Sequence, residues 1–285
     1  MKVLVLGATG ILGSNLSKTL SLSQEIDVFG STRDISRSEY FANFPECKLV
    51  GLEDVMNSDL MESLFHEINP DVVINCLSLS PDKLKEQDPK LHKEFYSELP
   101  HKIAKYCEGD NSRYIHISTD GVFSGSKGNY TELDTPDPIN LEGECKLNGE
   151  VITGNAVSIR TSFFGNSLLG DNGLLDWFLN QSDKCMGYSN YIFSGLPVNT
   201  LSEIIRDIII PNKELKGLYN IGHSGISKYE LLGLLADKYK KIIRIEKEGS
   251  LAINRTLDST KFIDKTGYDM PDLQEMIESM YSFQG

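Results

Sequence analysis

The stretch "KVLVLGATGILGSNLSKTL" limits what this chain can fold into more than any other part of it. An apolar run of β-forming residues ends at Gly7. Two further glycines, Gly10 and Gly13, follow at three-residue intervals, and the residues after them repeat with helical period. A strand that turns directly into a helix needs a residue at ease with positive φ, which Gly7 supplies. Gly10 lets backbone N–H groups approach a phosphate at the helix N-terminus, and Gly13 lets the helix lie close on the strand. Such a turn receives the pyrophosphate of a dinucleotide, so Gly7, Thr9, Gly10, Ile11, Leu12 and Gly13 are the expected cofactor contacts.

Downstream, short apolar runs ("IDVFG", "CKLVGL", "PDVVINC", "SRYIHIS") alternate with amphipathic ones ("SDLMESLFHEI", "KEFYSELPHKIAKYC"). Strands apolar on both faces, separated by helix-period segments, indicate a parallel sheet covered by helices on both sides. The fold class is therefore α/β, a doubly wound parallel sheet of Rossmann type. After "AVSIRTS" the rhythm loosens into "GLLDWFLNQ", "TLSEIIRDIII", "SKYELLGLLADKY" and "DLQEMIESMYSF", helices joined by short strands. The expected organisation is a dinucleotide domain over residues 1–162, which also receives elements from about 190–220, and a smaller, mostly helical substrate lobe over 163–285. The loops "SGSKGNYTELDTPDPIN" and "FFGNSLLGDNG" have the Gly, Pro and Asn content of site rims.

Charge narrows the partners. With 41 acidic against 28 basic residues the net charge is −13, and no run of Lys or Arg occurs, so neither nucleic acid nor an anionic membrane is expected as a standing partner. The five cysteines are widely spaced without a C-x-x-C pair, and neither histidines nor carboxylates cluster, so no disulfide framework and no metal is expected. The chain opens on a strand, and no apolar run approaches the ~18 residues of a membrane span, which points to a soluble, cytoplasmic protein. Oligomeric state is left open, a homodimer included.

The choice of dinucleotide falls at the end of the second strand, "VFGSTRD". An acid directly after Phe29 would pair with the ribose of NAD, and none is there. Ser31 and Arg33 suit the 2′-phosphate of NADP, and the remaining alternative is that Asp34 takes the ribose of NAD. Asp54 and Val55 after the third strand are candidates to flank the adenine, and Cys76, Leu77 and Ser78 after the fourth complete the cofactor set.

With "GATGILG", "PDVVINC", "ISTDGVFSGSKGNYTE" and "GECKLNGE" in this order, and "SIRTSFFG", "GLYNIG" and "INRTLDSTKF" in the second half, the chain resembles the extended short-chain dehydrogenase/reductases. Within them it is most similar to the dTDP-4-dehydrorhamnose reductase branch. The resemblance implies NADP-dependent reduction of a 4-keto-6-deoxy sugar nucleotide in polysaccharide or O-antigen sugar biosynthesis. It gives Thr119 the hydrogen bond to the keto oxygen, Lys146 the cofactor ribose, and Ser118, Asp120, Arg255 and Trp177 contacts to a nucleotide-diphosphate sugar, Arg255 meeting the diphosphate. Phe178 and the segment 192–197 are further candidates to line the pocket.

Two positions depart from the pattern. Glu142 stands where the branch has the tyrosine that delivers the proton, and Tyr96 where it has an asparagine. Gly121 stands where many relatives have an aromatic residue or a cysteine. A carboxylic acid is ordinarily ionised at neutral pH, and a carboxylate beside a developing alkoxide repels it. Taken alone, Glu142 and Lys146 are also an ordinary helix-surface pair at i,i+4, worth about 0.2–0.5 kcal/mol. Two other readings therefore stand beside the reductase. One is a catalytically impaired relative that binds cofactor or sugar nucleotide as a regulatory subunit, and the other an epimerase or dehydratase using a carboxylate base.

Overall fold

The computed structural model describes residues 1–284 apart from 43, 169 and 171, and their side chains apart from Pro81 and Gln284. Leu169 and Asp171, in the loop read as a site rim, thus lie outside the described residues. In chain order the strands are β1 (Lys2–Leu6), β2 (Asp27–Thr32), β3 (Cys47–Gly51), β4 (Val72–Asn75), β5 (Arg113–Ile117), β6 (Ala156–Arg160), β7 (Phe163–Phe164), β8 (Lys184–Tyr188), β9 (Tyr191–Phe193), β10 (Leu196–Pro197), β11 (Gly217–Asn220), β12 (Ile226–Ser227), β13 (Arg244–Glu248) and β14 (Ile253–Arg255). The helices are α1 (Ile11–Ser21), α2 (Ser58–Ile68), α3 (Pro81–Glu86), α4 (Pro89–His92), α5 (Leu99–Gly109), α6 (Leu141–Asn148), α7 (Gly173–Leu179), α8 (Val198–Ile204), α9 (Lys228–Tyr239), α10 (Thr260–Thr266) and α11 (Leu273–Gln284).

Seven strands form one sheet in the order β11-β6-β5-β4-β1-β2-β3. Pairing from β3 through β6 is parallel throughout. Strands β4 and β6 are buried at every residue, as their unbroken apolar runs require when helices cover both faces. The order reverses between β1 and β4, which opens a crevice at the carboxyl ends of those two strands, the usual ligand position in a doubly wound sheet. Local signals set the helix ends. Asn57 caps α2 by accepting from Asp59 N at 3.0 Å, and Asn69 closes the same helix in the left-handed region at φ 49°.

The chain divides into two compact units, each built from three stretches of sequence. The first comprises 1–118, 140–159 and 202–218; the second comprises 119–139, 160–201 and 219–285. The loop after β5 leaves the first unit because its Tyr130 bridges to Leu257, a pairing far away in sequence. Each unit has its own core. In the first, Leu4, Leu6, Phe65, Val73, Ile103 and Tyr114 pack together; in the second, Phe164, Leu175, Phe178, Phe193, Leu231 and Ile277 do. Phe178, read from sequence as a pocket candidate, is thus a core residue, fully buried.

Candidate functional site

In the first unit the glycine turn has the shape its spacing implies. Gly7 sits at φ +81°, and a Cβ added at Gly13 would lie 2.1 Å from Gly7 O, so only glycine allows α1 to approach this closely. Gly10 caps α1 without any side-chain acceptor, leaving the first-turn N–H groups of Ile11, Leu12 and Gly13 for a bound anion. Across the crevice, Cys76 O is 3.1 Å from where a Gly7 Cβ would be, which brings the loop after β4 against this turn. The cradle fits a dinucleotide pyrophosphate.

At the end of β2 the residues divide the work differently from the sequence reading. Ser31 is 2% exposed and its Oγ accepts from Gly7 N at 3.1 Å, so it braces the glycine turn. Asp34 accepts from Ser36 N at 3.0 Å and Ser36 Oγ at 2.6 Å and caps a short 3₁₀ turn. The Ser36 hydrogen bonds hold its carboxyl below the usual range. Arg33 is exposed, and Arg37, missed by the sequence reading, lies 3.7 Å from Asp34. Asp54 accepts from Met56 N at 2.9 Å, while Val55, 8% exposed, packs into the core of the unit.

The helix that carries Glu142 and Lys146, α6, is capped by Asn140, whose side chain accepts from Gly143 N at 2.8 Å. Lys146 Nζ lies 3.1 Å from Glu142 Oε1; the lysine side chain is 20% exposed and the glutamate 38%, so this is a half-buried pair and not a solvated one. Lys146 Nζ also stands 5.1 Å from the centroid of the Tyr96 ring. Tyr96 lies in a π-helical segment, Lys93–Glu98, joining α4 to α5. This segment is tied to α6 where Ser97 Oγ donates to Cys145 O at 3.0 Å. The Tyr96 hydroxyl accepts from Leu79 N at 3.0 Å and bonds Ser78 Oγ at 3.2 Å. The phenol therefore joins Lys146 to the loop after β4. Ser118, expected to meet substrate, donates instead to Glu150 Oε1 at 2.7 Å.

A buried polar group beneath this loop escaped the sequence reading. Asn75 Oδ1 accepts from Leu77 N at 3.1 Å, its Nδ2 donates to Tyr114 Oη at 3.0 Å, and His116 Nδ1 is 3.3 Å from the same Nδ2. Burial, with Lys146 and His101 adding to it, pushes the His116 imidazole down to about 3, so it is neutral. The available signal was Asn and His inside strands otherwise apolar, "VVIN" and "RYIHI".

Thr119 belongs to the second unit. Its Oγ1 accepts from Gly121 N at 3.0 Å and donates to Asp120 Oδ1 at 3.3 Å. Arg255 Nη1 reaches the Tyr191 hydroxyl at 3.5 Å, and Lys228, which the sequence reading did not single out, sits 3.9 Å over the Phe193 ring. Trp177, Tyr188, Tyr191 and Lys228 line a cavity of ≈ 300 Å³.

Sheet order, glycine cradle and crevice define a doubly wound α/β protein of the short-chain dehydrogenase/reductase type. The profile of the RmlD substrate binding domain family matches residues 1–179, and the chain belongs to that family. It is 31% identical over 149 residues to mouse methionine adenosyltransferase 2 subunit beta, a match covering 52% of this chain and 41% of that protein. It is 32% identical over 170 residues to the probable low-salt glycan biosynthesis reductase Agl14 of Haloferax volcanii, covering 57% of this chain and 53% of that protein. Thus the match spans about half or less of each relative's own length. In fold it is similar to the dTDP-4-dehydrorhamnose reductase of Bacillus anthracis str. Ames solved in complex with NADP, with a TM-score of 0.81 at 19% identity over 99% of this chain and 98% of the other. Among the described residues, no helix is long and apolar enough to cross a membrane, and no group of three or more His, Cys, Asp or Glu could hold a metal ion.

Proposed function

We propose that the chain is an NADP-dependent reductase of a 4-keto-6-deoxy sugar nucleotide, acting in the synthesis of a polysaccharide or glycan sugar. The observation that carries the cofactor half is at the end of β2. The Asp34 carboxylate is engaged by Ser36, while the exposed Arg33, with Arg37 close by, offers guanidinium groups to a 2′-phosphate. NADPH, when bound, supplies the hydride. The glycine turn and the first-turn N–H groups of α1 hold its pyrophosphate, and Lys146 holds its nicotinamide ribose. Thr119 turns its hydroxyl from Asp120 to donate to the keto oxygen, and Arg255 takes the diphosphate of the substrate. Family membership and the reductases among its relatives and structural neighbours support this reading.

Proton delivery falls to Glu142 in this scheme. The carboxyl hands a proton to the keto oxygen as hydride arrives, and Lys146, 3.1 Å from it, leaves the pair to hold the ribose. The ion pair with Lys146 supports the second reading equally, that of a binding subunit without turnover, as does a relative named as a subunit of methionine adenosyltransferase. One experiment separates them. NADPH oxidation is followed with dTDP- and UDP-linked 4-keto-6-deoxy sugars, for the native protein and for Glu142→Tyr. The reductase reading expects turnover by the native protein, increased about 10²-fold in the tyrosine variant as a phenolic acid is restored. A silent native protein that still binds NADPH tightly decides for the binding subunit.

A further inference from the structure

Two cations of the second unit, Lys228 and Arg255, lie against aromatic side chains. Lys228 opens α9, where a capping box between Ser227 and Glu230 fixes the start of the helix. Its Nζ lies over two aromatic faces, 3.9 Å from the Phe193 centroid and 5.2 Å from that of Tyr191. Burial pushes the pKa of this ammonium down; Asp120 opposes the shift and Arg255 adds to it. Arg255 is 9% exposed, and its Nε has no hydrogen-bond partner. Among the described residues neither cation forms an ion pair. A desolvated cation is costly unless an anion joins it, and ring faces repay only about 0.5–2 kcal/mol of that cost. A bound ligand that brings negative charge offsets that cost.

The cavity beside Lys228 shows what else that ligand carries. Its volume of ≈ 300 Å³ accepts a nucleoside-sized ring system. Apart from Lys228, its lining is Trp177, Tyr188 and Tyr191 together with Met186 and three leucines. Trp177 is 43% exposed, its indole open to a partner. Among the described residues, no amide, carboxylate or aliphatic hydroxyl side chain lines it to read the edge of a base. Stacking is nearly blind to base identity because every base has a π-face, whereas strong discrimination needs hydrogen bonds to base edges.

Resting on the nucleotide-sugar reading above, we propose that Lys228 is the specificity-determining residue of the substrate site. With Arg255 it selects nucleoside diphosphates by charge, while the aromatic cavity accepts different pyrimidine bases nearly alike. The full chain, with its dinucleotide site filled by NADP, is titrated calorimetrically with dTDP, UDP and CDP and with thymidine. The three diphosphates are expected to bind within about threefold of one another, and thymidine about 100-fold more weakly. Lys228→Gln lowers affinity for all three diphosphates at least about tenfold and leaves thymidine unchanged, Lys228→Arg retains the affinity, and Trp177→Ala weakens every ligand. Thermal melts of the variants confirm that each is folded.

A preference above tenfold between pyrimidines, or unchanged dTDP affinity in folded Lys228→Gln, overturns the proposal, as does failure of any diphosphate to bind. If the diphosphates bind as expected but no keto sugar consumes NADPH, the reductase reading fails and the seat stands. Turnover of a keto sugar that is indifferent to Lys228→Gln has the opposite meaning.

Discussion

The glycine turn after β1 and helix α6 belong to the same unit and were held to different standards. At the turn the backbone itself is the functional part. A Cβ at Gly13 would sit 2.1 Å from Gly7 O, so geometry permits one residue type. At α6 the architecture is intact, with Asn140 capping the helix and Ser97 anchoring it, yet the side chain at 142 is a carboxylate paired with Lys146. Backbone requirements resist substitution because every alternative clashes. A side chain that only transfers a proton can change while the fold stays as it is.

That contrast can be broken most forcefully at the turn. Gly13→Val should destabilise the protein by about 3 kcal/mol and abolish NADPH binding, as read by urea denaturation and fluorescence titration. A stable, NADPH-binding Gly13→Val protein would show the turn to be as replaceable as position 142. Next in size, Arg33→Ala should weaken NADPH by about 10-fold or more and leave NADH nearly unchanged, since a charge-assisted contact to the extra phosphate is worth about 1.5–3 kcal/mol. Equal losses for both cofactors would return the ribose to Asp34.

Beneath α6 the contrast is sharpened by pH. His116 titrates at about 3 in the folded protein against its ordinary 6.5, so between these values the unfolded chain binds the extra proton. The stability it contributes is complete above pH 6.5 and is lost as pH falls towards 3, by at most about 1.4 kcal/mol per pH unit. Urea melts from pH 7 to 4 should show a shallower decline in His116→Gln; parallel curves would mean that the imidazole is protonated in the fold. Smallest is Tyr96→Phe, which keeps the ring over Lys146 and removes the bonds to Ser78 and Leu79, costing about 1 kcal/mol of stability with a few-fold loss in NADPH affinity. A collapse of affinity would instead place the phenol among the groups that touch the cofactor.

Much of this was legible in the sequence, and for identifiable reasons. Alternation of apolar strands and amphipathic helices gave the doubly wound sheet, and glycine spacing gave the turn, because both depend on near neighbours in the chain. At Ser31, Ser118 and Val55 the sequence left unseen what each side chain already holds, because burial and partners are set by tertiary contacts. Ser31 is taken by Gly7 N and Ser118 by Glu150, while Val55 is held in the core. Lys228 and Arg37 carried no motif, and Lys228 matters only through rings and a cavity drawn from α7, β8 and β9.

The sequence by itself determined the class of fold, the glycine turn and the presence of a glutamate at 142, since strand period, glycine position and residue identity are local properties. Only the tertiary structure decided that Glu142 pairs with Lys146 in a half-buried setting, that Tyr96 joins Lys146 to the loop after β4, and that half-buried Lys228 and buried Arg255 both lie against Tyr191. Charge, burial and hydrogen bonding depend on distances between residues far apart in the chain, and those distances exist only once it has folded.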